Sequence, residues 1–213
     1  MRRALFALVL AAVTGLALAL AGPASAASGQ VTHIRFHGGF ADAFWETSTA
    51  TRVTDTEVDV SASKQGSQLF VDQFTAHLDA HGNFAGGTDT FSDVTRGFSF
   101  TRRHSLAGAS LSGSGLPATR CTLDADFNQT GCTATTINAT VTWTGQGPIS
   151  RSGFNDRFKS DGFRVTDHFN GTFRAATATG MVAGRTLSAR DLQFADLGTT
   201  KFGSTTVCIG SSC

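Results

Sequence analysis

An all-β fold, either an antiparallel β-sandwich or a closed β-barrel of about ten strands, is predicted by three features of this 213-residue chain. Apolar and polar residues alternate with a period of two, most clearly from Ile137 to Thr144. There, Ile137, Ala139, Val141 and Trp143 point one way and Asn138, Thr140, Thr142 and Thr144 the other, which is the pattern of a half-buried antiparallel strand. Turn-forming residues recur at the intervals a hairpin protein needs. Nowhere after residue 26 does a helical period persist for three turns.

The chain opens on a different kind of segment. Arg2 and Arg3 precede the uncharged apolar run Ala4 to Ala21, Gly22-Pro23 ends it, and Ala24-Ser25-Ala26 supplies small residues for cleavage. A membrane anchor is the rival reading, since ~18 apolar residues nearly span a bilayer. The cleavage site favours a signal peptide over 1–26 and a single all-β domain over 27–213. No Cys lies near the cut to carry a lipid anchor. The mature chain is therefore expected to be secreted and not embedded in a membrane.

Strands are expected near 31–37, 41–48, 52–62, 68–79, 88–101, 106–112, 119–125, 133–144, 164–182 and 186–207, the last two bent or split. Val58, Val60 and Ala62 alternate with Glu57 and Asp59. Phe70, Phe74, Ala76 and Leu78 form an apolar face that Asp72 interrupts, and Phe169, Gly171, Phe173 and Ala175 form another. Breaks are expected at Lys64-Gln65-Gly66-Ser67, Asp79 to Asn83, Ser112-Gly113-Ser114-Gly115 and Gly145-Gln146-Gly147-Pro148. Residues 148–163 read as a long connection, with Phe154 and Phe158 four apart as in a helical turn. It either tucks its Phe residues under the sheet edge or serves as a binding loop.

Four cysteines, Cys121, Cys132, Cys208 and Cys213, suit two disulfides in an exported chain. Three connectivities exist; Cys121–Cys132 and Cys208–Cys213 each close a short loop bounded by turn residues. Loss of Arg2 and Arg3 moves the net charge from +1 to −1. Near neutrality offers no electrostatic case for nucleic acid or an anionic membrane. Arg exceeds Lys, Tyr is absent, and Ala, Gly and Thr abound. In this composition and in its export signal, the chain resembles the secreted proteins of high-GC Gram-positive bacteria. That resemblance carries no catalytic motif and implies no activity.

Several constellations could carry chemistry. Asp124, Asp126, Asn128 and Thr130 occupy alternate positions of a calcium-type loop, but Gln129 stands where that loop needs Gly and Thr135 where it needs Glu. A polar hairpin tip with Asx turns is the simpler reading. His77, Asp79 and His81 alternate, yet residues 77 and 81 would lie roughly 13 Å apart on a strand; His33 and His37 meet the same kind of objection. Arg96, Phe98, Phe100, Arg102, Arg103 and His104 interleave basic and aromatic residues, or the Phe pair is simply core. Glu46 and Glu57, the chain's two Glu residues, could join an Asp in glycoside hydrolysis, with Phe44 and Trp45 as an aromatic wall. No Gly-x-Ser-x-Gly elbow occurs.

No cofactor is expected. The chain reads as a non-enzymatic binding or structural domain, with an extracellular carbohydrate-active hydrolase as the alternative. Eighteen Phe residues exceed what one small core needs, so some should line a ligand cavity or an exposed face. Trp45, Phe154 and Phe158 are the candidate contacts, and the partner is a cell-surface molecule or an apolar small ligand.

Overall fold

A computed structural model describes residues 30–160 and 163–209. Residues 1–26, expected from the sequence to be a signal peptide, and Cys213 lie outside the described residues. Eleven strands follow in order: β1 (Gln30–Thr49), β2 (Arg52–Ser63), β3 (Gly66–Leu78), β4 (Phe84–Val94), β5 (Phe98–Arg102), β6 (Gly108–Leu123), β7 (Gln129–Gly145), β8 (Ser150–Ser160), β9 (Phe163–Val182), β10 (Arg185–Leu187) and β11 (Leu192–Ile209). They form one large antiparallel sheet in the order β10-β9-β11-β1-β2-β3-β4-β6-β5, with β7 joining β6 to β9 and β8 beside β9. The pairings thus return on themselves through β1, β2, β3, β4, β6, β7, β9 and β11, a barrel-like ring. Among the described residues, no helix is long and apolar enough to cross a membrane.

Contacts divide the described residues into two units, one of residues 36–153 and 169–202, the other including 30–35, 154–160, 163–168 and 203–209. In the first, every strand of the ring turns one face to a shared core. Trp45, Val58, Val60, Leu69, Val71, Leu111, Val141, Trp143, Val182 and Leu197 are buried there, with Val94 of β4 packed against them. Trp143, 1% exposed, stands directly opposite Ala109 on β6 and Ala178 on β9. These small neighbours leave room for the indole, whose N–H donates to the Asp42 carbonyl at 2.8 Å. In the second unit, the described segments are strand residues, and His168 Nδ1 is hydrogen-bonded to Asn155 Oδ1.

Three expectations are corrected. The connection at 148–163 is largely strand β8. A four-residue spacing fits a helical face but equally one face of a strand, so Phe154 and Phe158 could not decide between them. The expected break at 112–115 is instead a bulge within β6, where the register shifts between Gly113 and Leu116. Gly115 there takes φ +61°, and the Asn138 side chain accepts its N–H at 2.8 Å. Finally, the apolar face expected of β3 is wrong at its Phe residues, although Ala76 of the same set is buried. Leu69 and Val71 face the core, whereas Phe70 and Phe74 face away from it. Among the described residues, the buried core holds no Phe.

Cys121 and Cys132 face each other across β6 and β7 and form a disulfide. Cys208 is buried and also disulfide-bonded. Because Cys121–Cys132 closes a short loop of the unfolded chain, replacing both residues by Ser should cost about 2–3 kcal/mol. For a domain of this size that lowers the melting temperature by roughly 5–10 °C. Calorimetry of the variant checks this, and an unchanged midpoint would show that the hairpin is held by its ladder alone.

Candidate functional site

The face of β1–β4 turned away from the core is a grid of carboxylates and phenylalanines. Antiparallel register sets Glu46, Asp55, Phe74 and Asp89 in one row across the four strands. The next row is Phe44, Glu57, Asp72 and Phe91, and the third is Asp42, Asp59, Phe70 and Asp93. Period two explains the placement: each grid residue alternates with a core residue such as Ala43, Val58 or Val71. Most grid residues are half-buried; Glu46, Phe91 and Asp93 are exposed. Directly opposed side chains on such strands have Cβ atoms about 5 Å apart. Like charges are therefore held together.

Electrostatics follow from that crowding. Desolvation, then the charge of Asp196, pushes Asp42 up to about 7, against the Asp196 backbone N–H that donates to its Oδ1 at 2.8 Å. Burial, a hydrogen bond shared with Asp89, and the Asp89 and Glu57 charges raise Asp72 to about 8. Asp59 is raised well above the carboxylate range by burial and by the Glu57 and Asp42 charges. Burial also raises Glu57 and Asp196, and burial with the Glu46 charge raises Asp55. Each charged neighbour acting to raise these groups is another carboxylate. One Oδ1 each of Asp55, Asp72 and Asp89 is buried without a hydrogen-bond partner within the chain. Residues 36–94 contain nine acids (Asp42, Glu46, Asp55, Glu57, Asp59, Asp72, Asp79, Asp89 and Asp93) against Arg52 and Lys64 as the only Arg or Lys. The near-neutral net charge hides this segregation.

An aromatic stack continues the grid to the hairpin tips. Phe74 stacks on Phe84 with ring centroids 6.2 Å apart, and Phe84 on Phe127 at 4.0 Å and 7° between planes. Gly87 makes room for Phe84, since a Cβ there would lie 3.3 Å from the ring. Phe127 is 60% exposed. A second aromatic group joins β9, β11 and β1: Phe40 packs edge-on against Phe173, and Phe44 stacks on Phe194.

The expected site residues are dispersed. Trp45 is 1% exposed, its ring in the core and not open to a surface ligand, and its indole N–H lacks a partner within the chain. Phe158 is 59% exposed on β8; the Phe154 side chain lies outside the described residues. Asp124 directs its carboxylate inward, accepting the N–H groups of Asp126 and Asn128 at 3.0 and 2.9 Å and the Asn128 amide. Asp126 and Asn128 complete a polar hairpin tip. Among the described residues, no group of three or more His, Cys, Asp or Glu is placed to hold a metal. Phe98 and Phe100 pack against the core. A pocket of about 530 Å³ at the β4–β5 turn is lined by Asp93, Val94, Thr95, Arg96, Gly97 and Pro117. Glu46 and Glu57 do share the grid, as diagonal neighbours.

Sequence reasoning missed most of the grid. Its signal was the alternation of acids with core residues at 55, 57 and 59 on β2, matched by Asp72, Asp89 and Asp93 on the next strands. A closed all-β ring bearing an acidic, aromatic face is the class that fold and site define. No protein-family model, curated protein or solved structure matches the chain.

Proposed function

We propose that this chain is a secreted, non-enzymatic binding domain whose contact surface is the carboxylate–phenylalanine face of β1–β4. The observation that carries the reading is the location of the phenylalanines. A domain that needed them only for stability would bury them in its core, yet among the described residues none is fully buried there, Phe98 and Phe100 only pack against it, and the grid holds four. Aromatic area set among opposed, uncompensated carboxylates is suited to a ligand that supplies both apolar surface and hydrogen-bond donors or positive charge. Export fits the n-region, apolar run and cleavage pattern at 1–26 and the disulfides, and points to a partner at or beyond the cell surface.

The test is retention of the purified, secreted chain on cell-envelope preparations from a high-GC Gram-positive bacterium. The chain should be retained, and the combined change Asp55→Asn, Glu57→Gln, Asp89→Asn and Phe91→Ser should cut retention at least tenfold while leaving the fold intact. Retention indifferent to those four changes would refute the assignment of the face.

A second reading, carbohydrate hydrolysis, draws on one observation within the same grid. Glu46 stands directly opposite Asp55, and burial, then the charge of Glu46, holds the Asp55 carboxyl above its ordinary range. Two acids directly opposed, one of them with its carboxyl raised, are the kind of pair that a glycosidase uses. Reducing-end release from envelope polysaccharide, abolished by Glu46→Gln, is the outcome that would replace binding by catalysis.

A further inference from the structure

We propose that the exposed end of the Phe74–Phe84–Phe127 stack docks a cationic group of the partner, a guanidinium or an ammonium. The inference rests on the binding reading above and names the chemistry that this end of the face selects.

The two hairpin ends that meet there are built alike. Leu78-Asp79-Ala80 leads to Asn83, and Leu123-Asp124-Ala125 to Asn128. Asp79 N–H donates to the Asn83 carbonyl at 2.9 Å and Asp124 N–H to the Asn128 carbonyl at 3.0 Å. Asp79 Oδ1 accepts the N–H groups of His81 and Asn83, as Asp124 Oδ1 accepts those of Asp126 and Asn128. The fourth position of each turn has positive φ, +82° at Gly82 and +63° at Phe127. Gly82 shows what the turn itself asks for, a residue without Cβ. Phe127 occupies the same conformation with a large, exposed ring. The turn does not need that side chain, and an outlier of this kind at an exposed position points to a use elsewhere.

Charge complementarity says what covers the ring. Asp79 and Asp124 are held below the ordinary carboxylate range by their turn hydrogen bonds, so both stay ionised at neutral pH. Exposed Asp126 adjoins Phe127. No Lys or Arg occurs between Lys64 and Arg96, or between Arg120 and Arg151. An open aromatic face within a negative rim attracts a cation twice, through the ring quadrupole and through the carboxylates. A neutral ring or an alkyl group would use only the first.

Amide NMR of the full secreted chain tests this, with acetyl-Gly-Arg-Gly-amide as probe and the neutral citrulline peptide as control. The Arg peptide should shift the amides of 79–84 and 124–129 saturably, and the citrulline peptide should bind at least about fivefold more weakly. Phe127→Gly should abolish the response with an unchanged or higher melting temperature, because Gly takes positive φ freely. Equal responses to both peptides would overturn the proposal. So would a Phe127→Gly variant that melts several degrees lower and still binds, since Phe127 would then be a staple between hairpins. Dilution-dependent shifts at these amides, with no peptide response, would assign the tip to a second copy of the chain and overturn it too. Envelope retention that still depends on the grid, with no peptide response, would discard the cation and leave the binding reading standing.

Discussion

Raising the pH from about 4 to about 8 should lower the melting temperature of this protein by roughly 5–10 °C. Asp42 titrates at about 7 and Asp72 at about 8 in the folded chain, and Asp55, Glu57, Asp59 and Asp196 are raised in the same direction. In the unfolded chain these carboxyls titrate at about 4. Between the two limits the folded state holds more protons than the unfolded state, so stability falls as pH rises. The contribution is fully present below about pH 4 and is lost as pH passes through about 7 to 8. Each tenfold gain in proton affinity on folding is worth about 1.4 kcal/mol. Discounted for the partial exposure of these groups, Asp42 and Asp72 together amount to on the order of 3 kcal/mol. The double variant Asp42→Asn, Asp72→Asn should flatten the profile and melt higher than the parent at pH 8. The amide introduced by Asp72→Asn could still donate to the Asp89 carboxylate. A parent profile that rises between pH 5 and 8 would contradict the crowding described for the grid.

Trp143→Ala should destabilise the fold by about 3–5 kcal/mol, enough to lower the melting temperature by roughly 10–15 °C or to prevent accumulation of folded protein. Trp143 fills the space left by Ala109 and Ala178, and neither alanine can expand into the void. Its loss also removes the indole N–H that donates to the Asp42 carbonyl. Trp143→Phe restores most of the volume but not the hydrogen bond, so a smaller cost of about 1–3 kcal/mol is expected. Urea unfolding of both variants measures the difference. An Ala variant within about 1 kcal/mol of the parent would mean that the ring of strands is not packed about this residue.

Fold class was legible because alternation is local. Ile137 to Thr144 reads as a strand in any sheet, and the short Cys121–Cys132 spacing reads as a hairpin staple. Where strands divide was less legible: Gly113 and Gly115 break the sequence pattern but only bulge β6. The face of a strand was harder still. On β3, Leu69 and Val71 compete with Phe70 and Phe74, and both sets are apolar, so period two cannot say which faces inward. The partners decide: Val58 and Val60 pair with Val71 and Leu69, while Glu57 and Asp59 pair with Asp72 and Phe70. That pairing is non-local information. For the same reason the carboxylates scattered from Asp42 to Asp93 became one surface only in the folded chain. Trp45, expected as a ligand contact, belongs to the core by the same parity.

The most direct test of the central claim, that the β1–β4 face makes the contact, is carboxyl footprinting of the purified chain with a carbodiimide and glycinamide, free and retained on envelope. Asp55, Glu57, Asp89 and Asp93 should lose labelling on retention, with Asp191 unchanged as internal control. Protection confined to carboxylates outside the grid, with those four labelled equally in both states, would contradict the account.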